Sequence, residues 1–373
     1  MSVPRISAIR SDTKDASILL FTLSETNVSI ANALRRILQC EVRIPCFRSE
    51  DEDDAYKCSI PTNTTRFTNE VIKQRLACIP IHIKDDKINV ENYTLVLDVK
   101  NDTRDVMYVT TKDFKLKNNT TGKFIKNETT SKIFPPHEIT GDYIEFLRLM
   151  PSNTPLQLGE QISLSCPLTY GIAKESGCFK PVSVATYGNT LDEAKASLSW
   201  NVEEQRLLNE GIDDDKIMLK KRNWYLLEAK RHFKPNSFDF KVKSIGVYEN
   251  ETLMNKAVAI LMDKLKKTSI AIKSNDVAVI ELKTSISSLP HSYDVILHGE
   301  DYTLGKVLEY YSFEQYCEKQ DTFSFIGFRK EHPSDSKSIL RYAFREASSK
   351  EELVKLIDNV CNYVLSMLEN IKF

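Results

Sequence analysis

The chain has 373 residues, 41% of them hydrophobic and 28% charged, with a formal net charge of −1. That length suits two or three domains rather than one small core, and the near-neutral balance argues against a free-standing, sequence-blind DNA binder. No apolar run reaches the roughly 18 residues needed to span a bilayer, and Met1–Arg10 lacks the apolar centre of a secretory signal.

Residues Ala16–Leu23 alternate as a strand carrying Ile18 and Leu20 on one side. Asn27 is positioned as an N-cap, because its short side chain can accept from an unpaired helix amide. Ile30, Leu34, Ile37 and Leu38 then line one helical face, and the helix is expected to end near Glu41, before Val42–Ile44. The acidic run Glu50–Asp54 reads as a solvated loop, with a basic partner or a metal as the alternative. Thr68 or Asn69 can cap a short helix with Val71, Ile72 and Leu76 on its apolar side, stopped by Pro80.

From Lys84 to about Pro167, alternating segments at Tyr93–Val99, Met107–Thr110 and Gln161–Ser165 are separated by polar turns, the pattern of a β-rich insert. Gly171–Ser176 and Pro181–Ala185 return the chain to its first module. Asn189–Pro235 is mixed and partly helical. Two long amphipathic helices follow. Glu251–Lys267 places Met254, Ala257, Val258, Leu261 and Leu265 on one face. Glu351–Lys372 does the same with Leu353, Leu356, Val360, Val364, Met367 and Leu368, and Ser349-x-x-Glu352 opens it as a capping box. Each helix can cover its own sheet or pair with the other; the apolar faces fit both readings. Thr268–Asp276 is a candidate linker.

An internal repeat favours pairing. The outline of Thr22–Leu38, strand then polar turn then amphipathic helix, returns at Leu297–Leu308. Asn27 aligns with Asp301, Ser29 with Thr303, Ile30 with Leu304, Ala31 with Gly305 and Leu34 with Leu308. Arg35-Arg36 becomes Glu309-Tyr310, so two units of one shape would present different surfaces.

Catalytic arrays are missing from the sequence. The eight cysteines include no Cys-x-x-Cys pair, so a zinc ribbon has no local support, and the thiols read as buried and free in a reducing compartment. The six histidines form no His-Glu-x-x-His array, and no Gly-x-Ser-x-Gly elbow occurs. Gly299–Lys306 fails as a phosphate loop because its glycine spacing is one residue too long and Val307 replaces the magnesium-binding hydroxyl. The triplets at Asn63 and Asn127 follow from an Asn/Thr-rich composition rather than glycosylation. We expect no catalytic residues, cofactor or bound metal.

These segments together carry a resemblance. Asn27–Leu38 resembles the dimerisation motif of the RNA polymerase α family, which includes the third-largest subunit of eukaryotic RNA polymerase II and the archaeal D subunit. Asn63-Thr-Thr, Glu70, Arg75-Leu76 and Ile79-Pro80 are similar to the segment that follows in that family. Gly171–Glu175, Lys180–Val182 and Phe240–Gly246 match further stretches. Gly299–Gly305, Phe325–Phe328 and Glu331–Pro333 resemble the family's small partner, the eleventh subunit or archaeal L. One chain holding both partners is similar to fusions encoded by large DNA viruses.

The resemblance implies an α+β fold with two α-like strand–helix dimerisation modules forming an intrachain pseudo-heterodimer, plus a β-rich insert. The large-partner-like module would take residues 1–47 and 168–270, the insert 48–167, and the small-partner-like module 271–373. It further implies a non-catalytic assembly scaffold that nucleates a DNA-dependent RNA polymerase. Arg35 and Arg36 would contact the second-largest subunit, with Asn63, Thr64 and Arg75 nearby in the partner-binding surface. Ile30, Leu34, Ile37, Leu38, Leu304, Val307, Leu308, Leu261, Leu265, Val360, Val364 and Met367 would form the dimerisation seam. Partners would be the two largest and other small polymerase subunits, with DNA and RNA met only through the complex, no membrane and no homodimer. The implied location is intracellular: host cytoplasm and virion for a viral chain, the nucleus otherwise. The family's cysteine-ligated zinc is not expected, since no cysteine lies between Cys78 and Cys166. The bacterial C-terminal DNA-contacting domain has no counterpart. A nucleic-acid-binding module using Lys220–Arg222 and Lys264–Lys267 is the alternative, and a stand-alone enzyme a third.

Overall fold

The computed structural model describes residues 3–48, 58–84, 88–152 and 159–373; the acidic run Glu50–Asp54 lies outside them. In chain order the elements begin with β1 (Arg5–Ser11), β2 (Ile18–Ser24), α1 (Val28–Cys40), β3 (Ile44–Cys46), β4 (Ser59–Asn63) and α2 (Asn69–Ala77). They continue with β5 (Tyr93–Lys100), β6 (Met107–Thr110), β7 (Lys115–Asn118), α3 (Asn127–Ile133), β8 (Glu145–Leu149), β9 (Gln161–Pro167) and β10 (Thr169–Gly171). Next come β11 (Val182–Leu191), α4 (Glu193–Asn209), α5 (Asp214–Leu226), β12 (Phe233–Ser244) and α6 (Asn250–Ser274). The chain closes with β13 (Ile280–Thr284), β14 (Ser292–His298), α7 (Tyr302–Phe313), β15 (Phe323–Arg329), β16 (Lys337–Phe344) and α8 (Lys350–Leu368). This is a mixed α+β fold.

Two units partition the chain: one holds the segments up to Leu38, Val184–Lys243 and Asn250–Phe373, the other Gln39–Ser183 and Ser244–Glu249. The first contains two four-stranded sheets, ordered β1-β2-β12-β11 and β13-β14-β16-β15. Their plans coincide. In each, the second strand feeds a helix (α1 or α7) and its antiparallel neighbour feeds another (α6 or α8). β2 pairs with β12 in register, Phe21 opposite Phe240, with the two rings stacked at 4.9 Å. Inward-facing alternation explains both sheets: Leu19, Phe21 and Leu23 on β2, and Val295 and Leu297 on β14, are buried.

α6 runs 25 residues, through the stretch Thr268–Ser274 expected to be a linker. The helix continues because Ala271 and Ile272 extend its buried face, while the buried Thr268 hydroxyl donates back to the Lys264 carbonyl at 2.9 Å. The link between α6 and β13 is therefore only the turn 275–279. Half of the expected capping box forms: Ser349 Oγ accepts from Glu352 N at 3.3 Å, but the Glu352 carboxylate takes the Ser348 hydroxyl instead. Asn189–Pro235 contains the α4–α5 hairpin, held by its own small core of Trp200, Leu207 and Ile217.

The second unit is β-rich, with sheets ordered β4-β9-β5-β7 and β6-β8 and the short β10-β3 pair. Its core centres on Phe47, Phe114, Phe134 and Phe146 with Leu95, Leu97 and Leu164. The expected segments at Tyr93, Met107 and Gln161 are strands, and β7, β8 and α3 join them. Thr68 precedes α2 as expected, but its side chain makes no cap bond. The cysteines depart from expectation: all eight are free, but Cys40, Cys78 and Cys178 are exposed and Cys317 half-buried, so the thiols are not uniformly core residues.

Gly305 is required by packing rather than by a turn. A Cβ there would lie 2.0 Å from the Phe328 ring, where β15 meets α7. Alanine would gain about 1 kcal/mol of helix propensity against an overpacking cost of about 1–3 kcal/mol. Gly305→Ala should therefore lower the apparent Tm of the chain by calorimetry, and adding Phe328→Leu should recover most of the loss; an unchanged Tm would show that the ring yields freely.

Candidate functional site

The two helices that follow equivalent strands start in the same way. Asn27 Oδ1 accepts from Ser29 N at 2.8 Å, and Asp301 Oδ1 accepts from Thr303 N at 2.8 Å. These side chains satisfy amides that no helical carbonyl can reach. Asp301 has a second role. Arg36, on α1, donates through Nη2 to Asp301 Oδ2 at 2.7 Å and through Nε to Thr303 Oγ1 at 2.9 Å. Arg36 thus bridges α1 to the start of α7. It was expected on the outward docking surface and is instead committed within the chain, with Arg36 and Asp301 side chains 32% and 20% exposed. Neighbouring helical residues point about 100° apart, so Arg35 faces elsewhere. It is half-buried and donates through Nε and Nη2 to Asn32 Oδ1, at 3.0 and 2.9 Å, one turn earlier.

Helices α6 and α8 pack directly on each other. The apolar residues singled out from the sequence, Ile30, Leu34, Ile37, Leu38, Leu261, Leu265, Leu304, Val307, Leu308, Val360, Val364 and Met367, are all buried. Polar ties accompany them. Lys264 Nζ, only 14% exposed, sits 2.9 and 2.7 Å from the two Glu300 oxygens. Asp358 receives Ser269 Oγ at 2.5 Å and Lys273 Nζ at 2.8 Å. Asn255 exchanges two hydrogen bonds with the Phe373 backbone, at 3.2 and 3.1 Å, and the Phe373 ring meets Phe21 edge-on at 4.7 Å.

Asn63, Thr64 and Arg75 belong to the β-rich unit and serve its own architecture. Asn63 Nδ2 donates to the Phe67 carbonyl and to Asn69 Oδ1, while its Oδ1 accepts from Thr65. Thr64 Oγ1 accepts from Gln161 N at 2.7 Å. Arg75 Nε donates to the Phe146 carbonyl at 2.8 Å, and its guanidinium lies over Phe67. Arg75 and Thr64 remain exposed. Arg75 also lines a groove of about 360 Å³ with Gln74, Cys78, Ile79, Glu145 and Phe146.

Sequence reasoning missed a second groove, also about 360 Å³, in the unit that holds the two sheets. Val28, Asn32, Tyr187, Glu309, Tyr310 and Phe313 line it. Val28 is 47% and Phe313 42% exposed, large apolar surfaces on otherwise well-buried helices. Burial pushes the Tyr310 hydroxyl above its ordinary value, with the neighbouring Glu314 and Glu318 charges adding to the shift. The signal was available: Glu309-Tyr310 replaces the arginine pair, and both of these residues line this groove. Among the described residues, no group of three or more His, Cys, Asp or Glu is placed to hold a metal ion, and no helix is long and apolar enough to cross a membrane.

The first unit thus holds two sheets of one plan, two helices that start alike, and a direct packing of α6 on α8. The family model for the RNA polymerase Rpb3/Rpb11 dimerisation domain matches residues 20–265, more than half of the chain. The chain belongs to that family of non-catalytic, α-like RNA polymerase subunits. It is also similar to a conjugation stage-specific protein of Tetrahymena thermophila, 27% identical over 185 residues that cover 45% of this chain and 54% of the relative. The chain spans about half the length of that curated relative.

The Arg36–Asp301 bond can be weighed by a double-mutant cycle on the full chain. We expect a coupling of about 1 kcal/mol by urea unfolding. Asp301→Asn keeps the cap and should lose only the charged term. A coupling indistinguishable from zero would mean the pair merely rests where other contacts put it.

Proposed function

We propose that this chain is the assembly scaffold of a DNA-dependent RNA polymerase, carrying both halves of the α-like dimer in one polypeptide. The observation that carries this reading is the coincidence of the two sheet plans, each with an Asx-capped helix, joined across the seam by α6, α8 and Arg36. On this reading an intrachain pseudo-heterodimer replaces the association of two subunits. The large-partner-like module spans residues 1–47 and 168–270, the insert 48–167 and the small-partner-like module 271–373. A short link makes pairing effectively intramolecular, at concentrations near millimolar, so assembly does not wait for two chains to meet.

The scaffold would nucleate the enzyme and anchor its two largest subunits. We assign docking to Arg35 with the groove lined by Val28, Tyr310 and Phe313, and separately to the exposed Arg75 with its neighbours Asn63 and Thr64. A guanidinium can make fork-like hydrogen bonds to carboxylates and carbonyls of a partner, and exposed aromatic and aliphatic side chains supply the anchors that interfaces use. Arg36 is assigned to the seam instead. The family match, α-like subunits of RNA polymerase, supports other polymerase subunits as partners. One-chain fusions of this kind resemble those of large DNA viruses. We place the protein inside the cell, in host cytoplasm and virion for a viral chain and in the nucleus otherwise.

Half of the basic residues in the runs offered as the ground for direct nucleic-acid binding are engaged in ion pairs within the chain. Lys264 pairs with Glu300, Lys267 with Asp263 at 2.8 Å and Lys221 with Glu204 at 3.7 Å. That weakens the electrostatic footprint such binding needs.

Two measurements test the proposal. With a protease site placed in the turn 275–279, the cleaved chain should still elute as one species on a sizing column; prompt separation into two fragments would overturn the intrachain dimer. Native co-purification with a tagged chain should recover the two largest polymerase subunits. Arg35→Glu and Arg75→Glu should each cut that recovery severalfold while leaving the elution volume of the isolated chain unchanged. Recovery of neither large subunit with the unmodified chain would overturn the scaffold role.

A further inference from the structure

Two exposed cysteines a hundred residues apart in sequence stand side by side. Cys78 Sγ lies 3.6 Å from Cys178 Sγ. Cys78 caps the C-terminus of α2, its amide donating to the Gln74 carbonyl at 3.3 Å. Cys178 sits in the single helical turn Gly177–Phe179, whose Phe179 ring is buried and holds the turn in place. Both thiols belong to the β-rich unit. A disulfide needs its sulfurs about 2.05 Å apart. Rotation of two exposed side chains about their Cα–Cβ bonds is a small movement compared with displacing either backbone. Cys40 is also free and exposed, and serves as the contrast.

We propose that Cys78 and Cys178 form a reversible dithiol–disulfide site whose oxidant is a low-molecular-weight disulfide of the glutathione class. The thiolate of one cysteine attacks a sulfur of the oxidised small molecule. The small-molecule S–S bond breaks, one thiol leaves and takes up a proton, and a mixed disulfide remains. The second cysteine then attacks the protein sulfur of that mixed disulfide and releases the other small thiol. The two protein thiols lose two electrons and two protons, and the small disulfide gains both to become two thiols. The closed bond would tie the end of α2 to the turn before β11, at the rim of the groove that Arg75 lines.

The surroundings make this a slow site rather than a hair-trigger sensor. Partial desolvation of the sulfur where it faces its neighbour, and then the Cys178 thiol itself, push the Cys78 thiol above its ordinary value, only partly offset by Arg75. Little thiolate is then present near neutrality, and exchange should speed up as pH rises. The inference concerns the chain's own thiols and stands whether or not the docking assignment of Arg75 holds.

The test uses the full chain at pH 8.5, equilibrated with defined ratios of oxidised to reduced glutathione, alkylated and digested with trypsin without reduction. The expected product is peptide 76–84 linked to peptide 175–195, formed at an oxidised-to-reduced ratio at least tenfold lower than the one that glutathionylates Cys40. Cys78→Ser and Cys178→Ser should each convert the link into a stable glutathione adduct on the remaining cysteine. Separate adducts on Cys78 and Cys178 in the unmodified chain, or no reaction beyond that of Cys40, would overturn the proposal.

Discussion

The seam between α6 and α8 is the contact on which the two-sheet unit depends. Each helix presents a run of buried apolar side chains: Leu261 and Leu265 on one, Val360, Val364 and Met367 on the other. At roughly 1.5–3 kcal/mol for each buried side chain, these residues outweigh the polar ties beside them, which at partly exposed sites contribute about 0–1 kcal/mol apiece. The division of labour follows from these magnitudes. Apolar burial holds the helices together, while Lys264–Glu300, Ser269–Asp358 and Arg36–Asp301 fix which turn of one element faces which turn of another. Apolar side chains favour registers in which they interdigitate, and hydrogen bonds with defined donors and acceptors narrow that choice further.

Helical geometry also separates the two arginines that the sequence presents as a pair. Adjacent positions on α1 cannot both face the same surface. Arg36 is drawn toward the carboxylate that caps α7, and Arg35 is left to a neighbour on its own helix. The substitution of Glu309-Tyr310 at the equivalent place supplies a groove wall rather than a second guanidinium pair. One repeat contributes a cation to the seam and the other the anion it meets, an asymmetry that two identical copies could not provide at a shared contact.

Much of the architecture was legible because it rests on local patterns. Alternation marked β5 and β9; it placed β2 as a strand but in the wrong phase, since the buried alternating face is Leu19, Phe21 and Leu23 and Leu20 is only half-buried. The i, i+4 spacing of Leu261 and Leu265 marked α6, Asn27 announced α1 through its short polar side chain, and α7 was legible from the repeat that aligns Asp301 with Asn27. What the sequence hid depends on contacts between distant residues. Thr268–Ser274 looked like a linker because its hydroxyls and lysine lower its apolar content, yet Thr268 returns its hydroxyl to the helix and Ile272 finds cover. Nothing local to Arg36 distinguishes it from Arg35; its partner lies 265 residues away. The same holds for Cys78 and Cys178, whose proximity no spacing rule reveals. The exposed face of α4 and α5, including Leu198, Val202 and Met218, has no account in the features that explain the rest.

The strand order carries a consequence for how the chain reaches this shape. The two inner strands of the first sheet, β2 and β12, pair with each other, so that Thr22 meets Asp239 across 217 positions. During synthesis that sheet cannot close until nearly two thirds of the polypeptide has emerged, and a closure over so long a loop is intrinsically slow. The intervening β-rich unit completes its main segment earlier, and the last sheet is built from strands close together in the chain. The first helix and its strand must therefore wait with their apolar sides unprotected. This interval is when the nascent molecule is most open to aggregation and to chaperones.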